Sequence, residues 1–211
     1  MNWKEIDVIK YLYLNYFCKN VIRQGNGKII PYKNVVIDLA ETSKIYIGNG
    51  SLELGVNKLK GSKTETYIRL RTGAVWKAKD CCEISYGSTI EVLKEAVLES
   101  GYFTMNSFST IIAGKYIELG NDVMIARKVI IFDSDFHAIE YGKESIECSK
   151  PVKIGNSVWI AANSMILKGV EVGDGSVISA NTLVTKNVKE EVLVANKTEL
   201  TVLKEKIKWS R

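Results

Sequence analysis

Residues 154–188 read IGNSVWIAANSMILKGVEVGDGSVISANTLVTKNV, and this stretch decides the fold. Divided into sixes, it begins every hexad with an aliphatic β-branched residue: Ile154, Ile160, Ile166, Val172, Ile178 and Val184. Six such hits in one frame would arise by chance with a probability on the order of 10⁻⁴ when matches are counted against composition. Self-similarity at a short fixed period indicates a stacked solenoid.

Two other positions of the hexad agree with this interpretation. The fifth position is small or β-branched, as a confined interior requires: Val158, Ser164, Val170, Ser176, Thr182 and Val188. The position before it is rich in glycine and asparagine, which tolerate positive φ and therefore suit a corner: Ser157, Asn163, Gly169, Gly175, Asn181 and Asn187. The repeat thus predicts a prism of short parallel strands whose equivalent positions stack about 4.8 Å apart.

The same phase continues upstream through Leu119, Ile125 and Ile131 and then breaks. Between residues 131 and 154 the sequence is polar and aperiodic, which predicts a loop that leaves the coil. We expect three parts: an N-terminal helix and cap over residues 1–34, a β-helix over 35–190 with the loop at 133–151, and a C-terminal cap over 191–211. The chain has only two prolines, Pro31 and Pro151, which suits long paired backbone because proline removes a ladder donor.

Residues 3–17 predict a short amphipathic helix. Apolar side chains recur at helical spacing: Ile6, Ile9, Tyr13, Tyr16 and Phe17. One interpretation is a cap over the open end of the solenoid, whose backbone groups are otherwise unpaired. The other is a helix that docks on a membrane surface or on a partner.

Composition excludes several classes of protein. The 211 residues are 46% hydrophobic with a net charge of +5, which argues against disorder and does not indicate nucleic acid binding. The four cysteines have no CxxC spacing and are interpreted as reduced thiols of a cytoplasmic protein. No apolar run reaches about 18 residues, so we expect at most peripheral contact with membranes.

His137 is the only histidine and lies in the predicted loop, in the stretch DSDFH. A nearby carboxylate, Asp135 or Asp133, can bind one imidazole N–H and raise the basicity of the other nitrogen, as in a general base. The alternative is that both aspartates are turn residues of a solvated loop.

One histidine with scattered cysteines does not supply a zinc site within one chain, so we expect no metal. A GxSxG nucleophile elbow is absent from the sequence.

Taken together, the hexads, the xDxH loop, PVKIGNSVWI and the final VTKNV resemble the hexapeptide-repeat acyltransferases, over roughly residues 101–190. The branch they resemble is that of the galactoside, maltose and capsular polysaccharide O-acetyltransferases. This resemblance implies a left-handed parallel β-helix, a homotrimer, and a site where acetyl-CoA and a sugar or polysaccharide acceptor meet between subunits. The handedness comes from the resemblance alone.

The resemblance also implies roles for individual residues. His137 deprotonates the acceptor hydroxyl, oriented by Asp135 or, second, by Asp133, and the hydroxyl attacks the thioester directly. The backbone N–H of Ala162 meets the oxyanion. The remaining roles fall on Trp159 beside thioester and acceptor, Ala180 beside the pantetheine arm, Thr185 and Lys186 near the nucleotide, and Asn106 at the acceptor.

Some residues depart from the family pattern. Ala161 stands where relatives usually have glycine, Ala138 where many have proline, and LVANKTEL replaces a GxPAK element. Two alternatives stay open at this point: an N-acetyltransferase for a nucleotide-linked amino sugar, and a solenoid scaffold without activity.

Overall fold

The computed structural model describes residues 5–141 and 144–197. Its backbone forms three parallel sheets of seven, eight and seven strands, and one separate two-stranded pair. The strands, in chain order, are β1 (Val21–Arg23), β2 (Ile29–Pro31), β3 (Val35–Leu39), β4 (Lys44–Ile47), β5 (Leu52–Val56), β6 (Thr66–Leu70), β7 (Val75–Ala78), β8 (Cys82–Ser85), β9 (Thr89–Val92), β10 (Val97–Ser100), β11 (Phe103–Met105), β12 (Thr110–Ala113), β13 (Tyr116–Leu119), β14 (Val123–Ile125), β15 (Ile130–Phe132), β16 (Ile139–Tyr141), β17 (Glu144–Ile146), β18 (Val152–Ile154), β19 (Trp159–Ile160), β20 (Met165–Ile166), β21 (Glu171–Val172), β22 (Val177–Ile178), β23 (Leu183–Val184) and β24 (Leu193–Val194).

Each coil contributes one strand to each sheet. The first sheet runs β1-β4-β7-β10-β13-β18-β21, the second β2-β5-β8-β11-β14-β19-β22-β24, and the third β3-β6-β9-β12-β15-β20-β23. All pairings within these three sheets are parallel, whereas β16 and β17 pair with each other in antiparallel orientation. The chain is a left-handed parallel β-helix, which confirms the predicted fold class.

The hexad positions occupy the places that the sequence assigns them. The six aliphatic residues from Ile154 to Val184 are all buried. Positive φ occurs at Ser157, Asn163, Gly169, Gly175 and Asn181, so five of the six predicted corners adopt the left-handed conformation, and Asn187 does not. The corners therefore turn where asparagine and glycine reduce the steric cost.

The stacked strands extend beyond the predicted limits of 35 and 190. β1 and β2 already pair with β4 and β5, and β24 pairs with β22. A start near residue 35 is therefore too late, because the first strands lack the hexad period that marks the later coils. Residues 198–211, which fall in the predicted C-terminal cap, lie outside the described residues.

A helix, α1 (Val8–Leu12), covers the first coil and continues as a π-helical turn through Tyr13–Phe17. It begins after Asp7, whose carboxylate accepts the Lys10 N–H at 3.1 Å as an N-cap. Within the described part of the chain, no helix is long and apolar enough to span a bilayer.

The packing face of this helix differs from the predicted one. Of the five apolar residues expected at helical spacing only Ile6 is buried, whereas Leu14 and Asn15 face the coil. The Asn15 amide donates to the Ile29 carbonyl at 2.7 Å and accepts the Ile29 N–H at 3.0 Å. A polar residue thus closes the edge of β2, which apolar periodicity alone does not reveal.

Candidate active site

The segment predicted as a loop is a β-hairpin that leaves the coil after β15. Residue Asp135 donates its N–H to the Cys148 carbonyl at 2.9 Å, and Lys150 donates to the Asp133 carbonyl at 2.8 Å. The two arms then pair as β16 and β17, and the chain rejoins the first sheet at β18. This hairpin, residues 134–150, projects from the corner between the third and first sheets.

His137 lies on the outgoing arm of the hairpin, and its residue is exposed. Its ring makes no hydrogen bond to any residue of the described ranges, while its carbonyl accepts from the Cys148 thiol at 3.4 Å. The preceding Phe136 has φ of 62° and packs edge-on against Phe132, with ring centroids 5.2 Å apart. An accessible imidazole held on a braced hairpin can accept a proton from a bound hydroxyl.

Asp133 has a structural role. Its side chain is fully buried, and its carboxylate accepts three backbone N–H groups, from Gly114 at 2.5 Å, Lys115 at 2.8 Å and Tyr116 at 2.6 Å. These bonds connect the corner below the hairpin to the start of β13. The expectation that Asp133 assists His137 is therefore corrected, because its oxygens already face the backbone of the neighbouring coil.

Asp135 forms an ion pair with Lys168, one coil further along the same corner. Lys168 also donates to the Glu147 carbonyl at 2.6 Å, so one ammonium group binds both arms of the hairpin. A second link joins Lys115 to the Glu147 carboxylate at 2.9 Å, and this hydrogen bond lowers the pKa of Glu147. Sequence reasoning did not single out Lys168, which the register of β15 with β20 stacks directly above Asp133.

Three other predicted residues lie at or beside the next corner, between the second and third sheets. The backbone N–H groups of Ala162 and Ala180 donate to no described residue, and the Asn181 N–H donates to the Ala162 carbonyl at 2.9 Å. These two residues occupy equivalent positions in successive coils. Trp159 stands beside them on β19, outward and 47% exposed, paired in the sheet with Met124. A free N–H beside an open aromatic face can stabilise an oxyanion.

Asn106 is exposed and lies at the same corner as Ala161, two coils earlier in the stack. Its N–H donates to the Ile125 carbonyl at 2.8 Å, and the Ala126 N–H donates to the Ile160 carbonyl at 2.9 Å, which fixes the stacking. Two coils separate the two positions by roughly 10 Å. An acceptor that reaches Ala162 can therefore extend along the coil to Asn106.

Thr185 and Lys186 return to the corner from which the hairpin leaves. The register of β20 with β23 stacks Thr185 on Leu167 and Lys186 on Lys168, one coil apart. Both residues are exposed, and no described residue forms an ion pair with Lys186. Lys186 is available to a phosphate.

One chain does not bring the predicted residues into a single site. Ala162 and Lys168 lie on either side of β20, at two different corners, six residues and therefore at most roughly 20 Å apart. The hairpin with His137 stands at the Lys168 end.

A groove of about 730 Å³ lies on the first sheet and is lined by residues that include Glu118, Lys153 and Asn187. It contains none of the predicted site residues. Over residues 5–141 and 144–197, no three His, Cys, Asp or Glu side chains are grouped to hold a metal ion.

Comparison with known proteins agrees with the repeat and the fold. Residues 151–186 match the family model described as bacterial transferase hexapeptide (six repeats). The coil carries the hexapeptide repeat. The matched segment begins where the His137 hairpin rejoins the first sheet and ends at Lys186, so it includes both corners of the candidate site.

The relatives of this hexapeptide coil are acetyltransferases. A polysialic acid O-acetyltransferase of Neisseria meningitidis is 30% identical over 135 residues, which are 62% of this chain but only 58% of the relative. The crystal structure of the polySia-specific acetyltransferase NeuO is 25% identical with a TM-score of 0.57, covering 90% of this chain and 82% of that one. The polysialic acid O-acetyltransferase OatWY is 26% identical with a TM-score of 0.54, covering 87% and 94%.

Proposed function

We propose that the protein is an acetyl-CoA-dependent O-acetyltransferase that acetylates a hydroxyl of a sugar or an acidic capsule-type polysaccharide. The observation that carries this proposal is the likeness to two polysialic acid acetyltransferase structures along nearly the whole coil, with TM-scores of 0.57 and 0.54. The accessible ring of His137 and the free N–H of Ala162 supply the groups that such a transfer needs.

The chemistry follows from these groups. The neutral imidazole of His137 takes the proton of the acceptor hydroxyl while the oxygen attacks the thioester carbonyl. The Ala162 N–H stabilises the tetrahedral oxyanion, and Trp159 excludes water beside it. Collapse breaks the carbon–sulfur bond, and the imidazolium returns its proton to the departing thiolate of CoA. No acyl-enzyme forms.

The separation of the two corners supports a homotrimer. His137 stands at the corner between the third and first sheets, whereas Ala162 stands at the corner between the second and third. A second copy that places its Ala162 corner against the hairpin completes the site between chains. Three copies around one axis make three equivalent sites. Sedimentation equilibrium should then give three times the 23.6 kDa of one chain, and a monomer with full activity would contradict the shared site.

His137→Ala is the direct test of the mechanism. Release of free CoA thiol with polysialic acid as acceptor should fall by roughly two or more orders of magnitude, because a general base is lost. Binding of CoA, measured by calorimetry, should be unchanged. Lys94→Ala, which removes an exposed lysine outside the site, is the control. Full transfer by the His137 variant would disprove its role as the base.

The choice of acceptor has its own test. Polysialic acid, a neutral polysaccharide and a nucleotide-linked amino sugar are offered with acetyl-CoA, and the products are analysed for ester or amide acetyl groups. Ester formation on the acidic polymer supports the proposal. Amide formation on the amino sugar alone would replace the proposal with the N-acetyltransferase alternative.

The location in the cytoplasm stays a prediction, and it agrees with four free cysteines.

A further inference from the structure

The N-terminal helix presents a predominantly apolar surface to solvent. Six of its side chains face outward, with 46–82% of their surface exposed: Val8, Ile9, Leu12, Tyr13, Tyr16 and Phe17. The most exposed are Ile9 at 82% and Phe17 at 72%. A soluble chain rarely leaves such a contiguous patch uncovered without a binding role.

The two charged residues of this segment, Asp7 and Lys10, lie at the edge of the apolar surface. Asp7 caps the first turn, and Lys10 lies at the border, where its ammonium donates to the Val35 carbonyl of the coil at 2.8 Å and pairs with Asp7 at 3.1 Å. The segment thus differs from an ordinary surface helix, whose apolar residues face the core, because most of its apolar side chains face solvent. Packing against the coil does not account for the aromatic residues.

Positive charge accompanies this patch at the same end of the coil. Residues 1–63 contain ten Lys and Arg but five Asp and Glu, whereas the other 148 residues contain nineteen of each. The whole excess of +5 therefore falls on the helix and the first coils. Lys28 holds its ammonium 5.4 Å from the ring centroid of Tyr16, and the exposed Lys19 follows the helix.

The exposed apolar patch and the positive charge beside it together indicate the class of partner. A second copy of this chain that paired this patch with the same patch would bring lysines against lysines, which is unfavourable. A soluble polyanion would engage the lysines but leave the apolar side chains in water. An anionic lipid surface satisfies both, because its headgroups attract the lysines and its interface buries aromatic and aliphatic side chains.

We propose that this end of the coil docks on anionic membranes, with the helix lying in the interface and the coil pointing away from the lipid. The inference goes beyond the acetyl transfer proposed above and does not depend on it. It concerns peripheral attachment, since the helix provides about three turns and does not span a bilayer.

Flotation of the full-length protein with vesicles tests the proposal. Vesicles of phosphatidylcholine and phosphatidylglycerol in a two-to-one ratio should carry the protein upward, and vesicles of phosphatidylcholine alone should carry far less. Ile9→Glu with Phe17→Glu should reduce the partition coefficient more than tenfold, because two apolar anchors are replaced by charges facing lipid. Lys28→Glu should reduce it by about fivefold on anionic vesicles only.

The control is Leu193→Glu, which places the same charge on a 71% exposed leucine at the opposite end of the coil. This variant should float like the parent protein. Circular dichroism before and after the helix substitutions checks the fold, which they should leave intact because both positions are exposed. Equal flotation of the parent and the helix double variant would overturn the proposal. So would a dimer in the absence of lipid that the double variant dissociates, or retention by soluble polysialic acid with no affinity for vesicles.

Discussion

Two aspartates of the DSDFH stretch, separated by one serine, have opposite environments. Asp133 is fully buried and its carboxylate accepts three backbone N–H groups, whereas Asp135 is one-third exposed and pairs with Lys168. The sequence alone does not distinguish them, since either carboxylate is close enough in the chain to reach His137. What separates them is the neighbouring coil, which offers its amides to the first aspartate.

Asp133→Asn should destabilise the protein by roughly 2–4 kcal/mol, because an amide keeps one oxygen and turns an NH₂ group toward backbone donors in a buried place. Urea denaturation should show a lower midpoint with an unchanged slope. Asp135→Asn is the matched control, with an expected cost below about 1 kcal/mol because its carboxylate is one-third exposed. Equal stability of the two variants would contradict the structural role of Asp133.

Lys168 controls the position of the hairpin. Its ammonium binds the Asp135 carboxylate on one arm and the Glu147 carbonyl on the other, and it is largely buried. Lys168→Met keeps the length of the side chain but releases both arms. We expect kcat to fall more than tenfold with an unaltered fold, because the base no longer stands in a fixed place, and we expect Lys168→Arg to recover part of the loss.

Lys115→Met provides the comparison for this variant, because it also removes an ammonium that reaches the hairpin. The Lys115–Glu147 pair is half-exposed on both sides, and such pairs contribute little. Its kcat should stay within about twofold of the parent value. If Lys168→Met transferred acetyl groups at the parent rate, the hairpin would not need this anchor.

The first sheet carries a ladder of charges whose contribution depends on pH. Glu99 accepts from Lys77 at 2.6 Å and pairs with Lys79 at 2.9 Å. The hydrogen bond from Lys77 holds the pKa of Glu99 below its usual value, against the opposing effect of partial burial. Because the folded pKa is lowered, the stabilisation is present above the unfolded pKa of about 4.3 and is lost as pH falls through the folded value.

Glu99→Gln removes this titration. Urea midpoints between about pH 6 and pH 3 should fall less steeply in the variant than in the parent, and the two proteins should converge at the acid end. Glu95→Gln, which makes the same substitution at an exposed glutamate whose lysine contact is 3.9 Å, is the control variant. A parallel pH dependence of Glu99→Gln and parent would show that the ladder does not stabilise the sheet.

The sequence predicted the corners of the coils that repeat regularly. For the irregular coils that follow residue 35 it predicted membership of the β-helix but not the corners, and it missed β1 and β2. From Lys153 to Glu171, one coil takes 18 residues, three hexads, and its corners are Ser, Asn and Gly. Earlier coils are longer: Val75 pairs with Val97, 22 residues on, and positive φ falls on residues such as Glu95 and Lys128, which carry no turn preference. Strands of four or five residues also hide the six-residue period.

The candidate site was predictable only in part for a related reason. The prediction of His137 rests on its being the single histidine of the loop that interrupts the hexads, and the prediction of Ala162 rests on the family resemblance. Both roles stay predictions. Lys168, in contrast, matters because two coils stack and bring it to Asp135, 33 residues away in the chain. Contacts between coils depend on the length of every intervening loop, and a single sequence does not state which corners coincide.

As a whole, the molecule is a linear stack whose two ends differ. Every middle strand has a neighbour on both sides, whereas β23 and β24 pair on one side only in the described structure. At the other end, Asn15 satisfies both backbone groups of Ile29, and Leu14 joins the apolar core. In a solenoid, stability is a sum of coil and neighbour terms, so strands with one strand neighbour open before those in the middle of the stack.

Hydrogen exchange followed by mass spectrometry should therefore show a gradient along the coil. Amides of β12–β15 should exchange last, those of β23 and β24 first, and those of β2 should be slower than those of β24 because the helix covers them. Asn15→Ala should remove this asymmetry, since it leaves two buried backbone groups unpaired at a cost of roughly 1–3 kcal/mol each. Asn26→Ala, which replaces an exposed asparagine in the turn after β1, should leave the asymmetry in place. Uniform exchange along all coils would mean that the stack opens as one unit and that the helix does not act as a local cover.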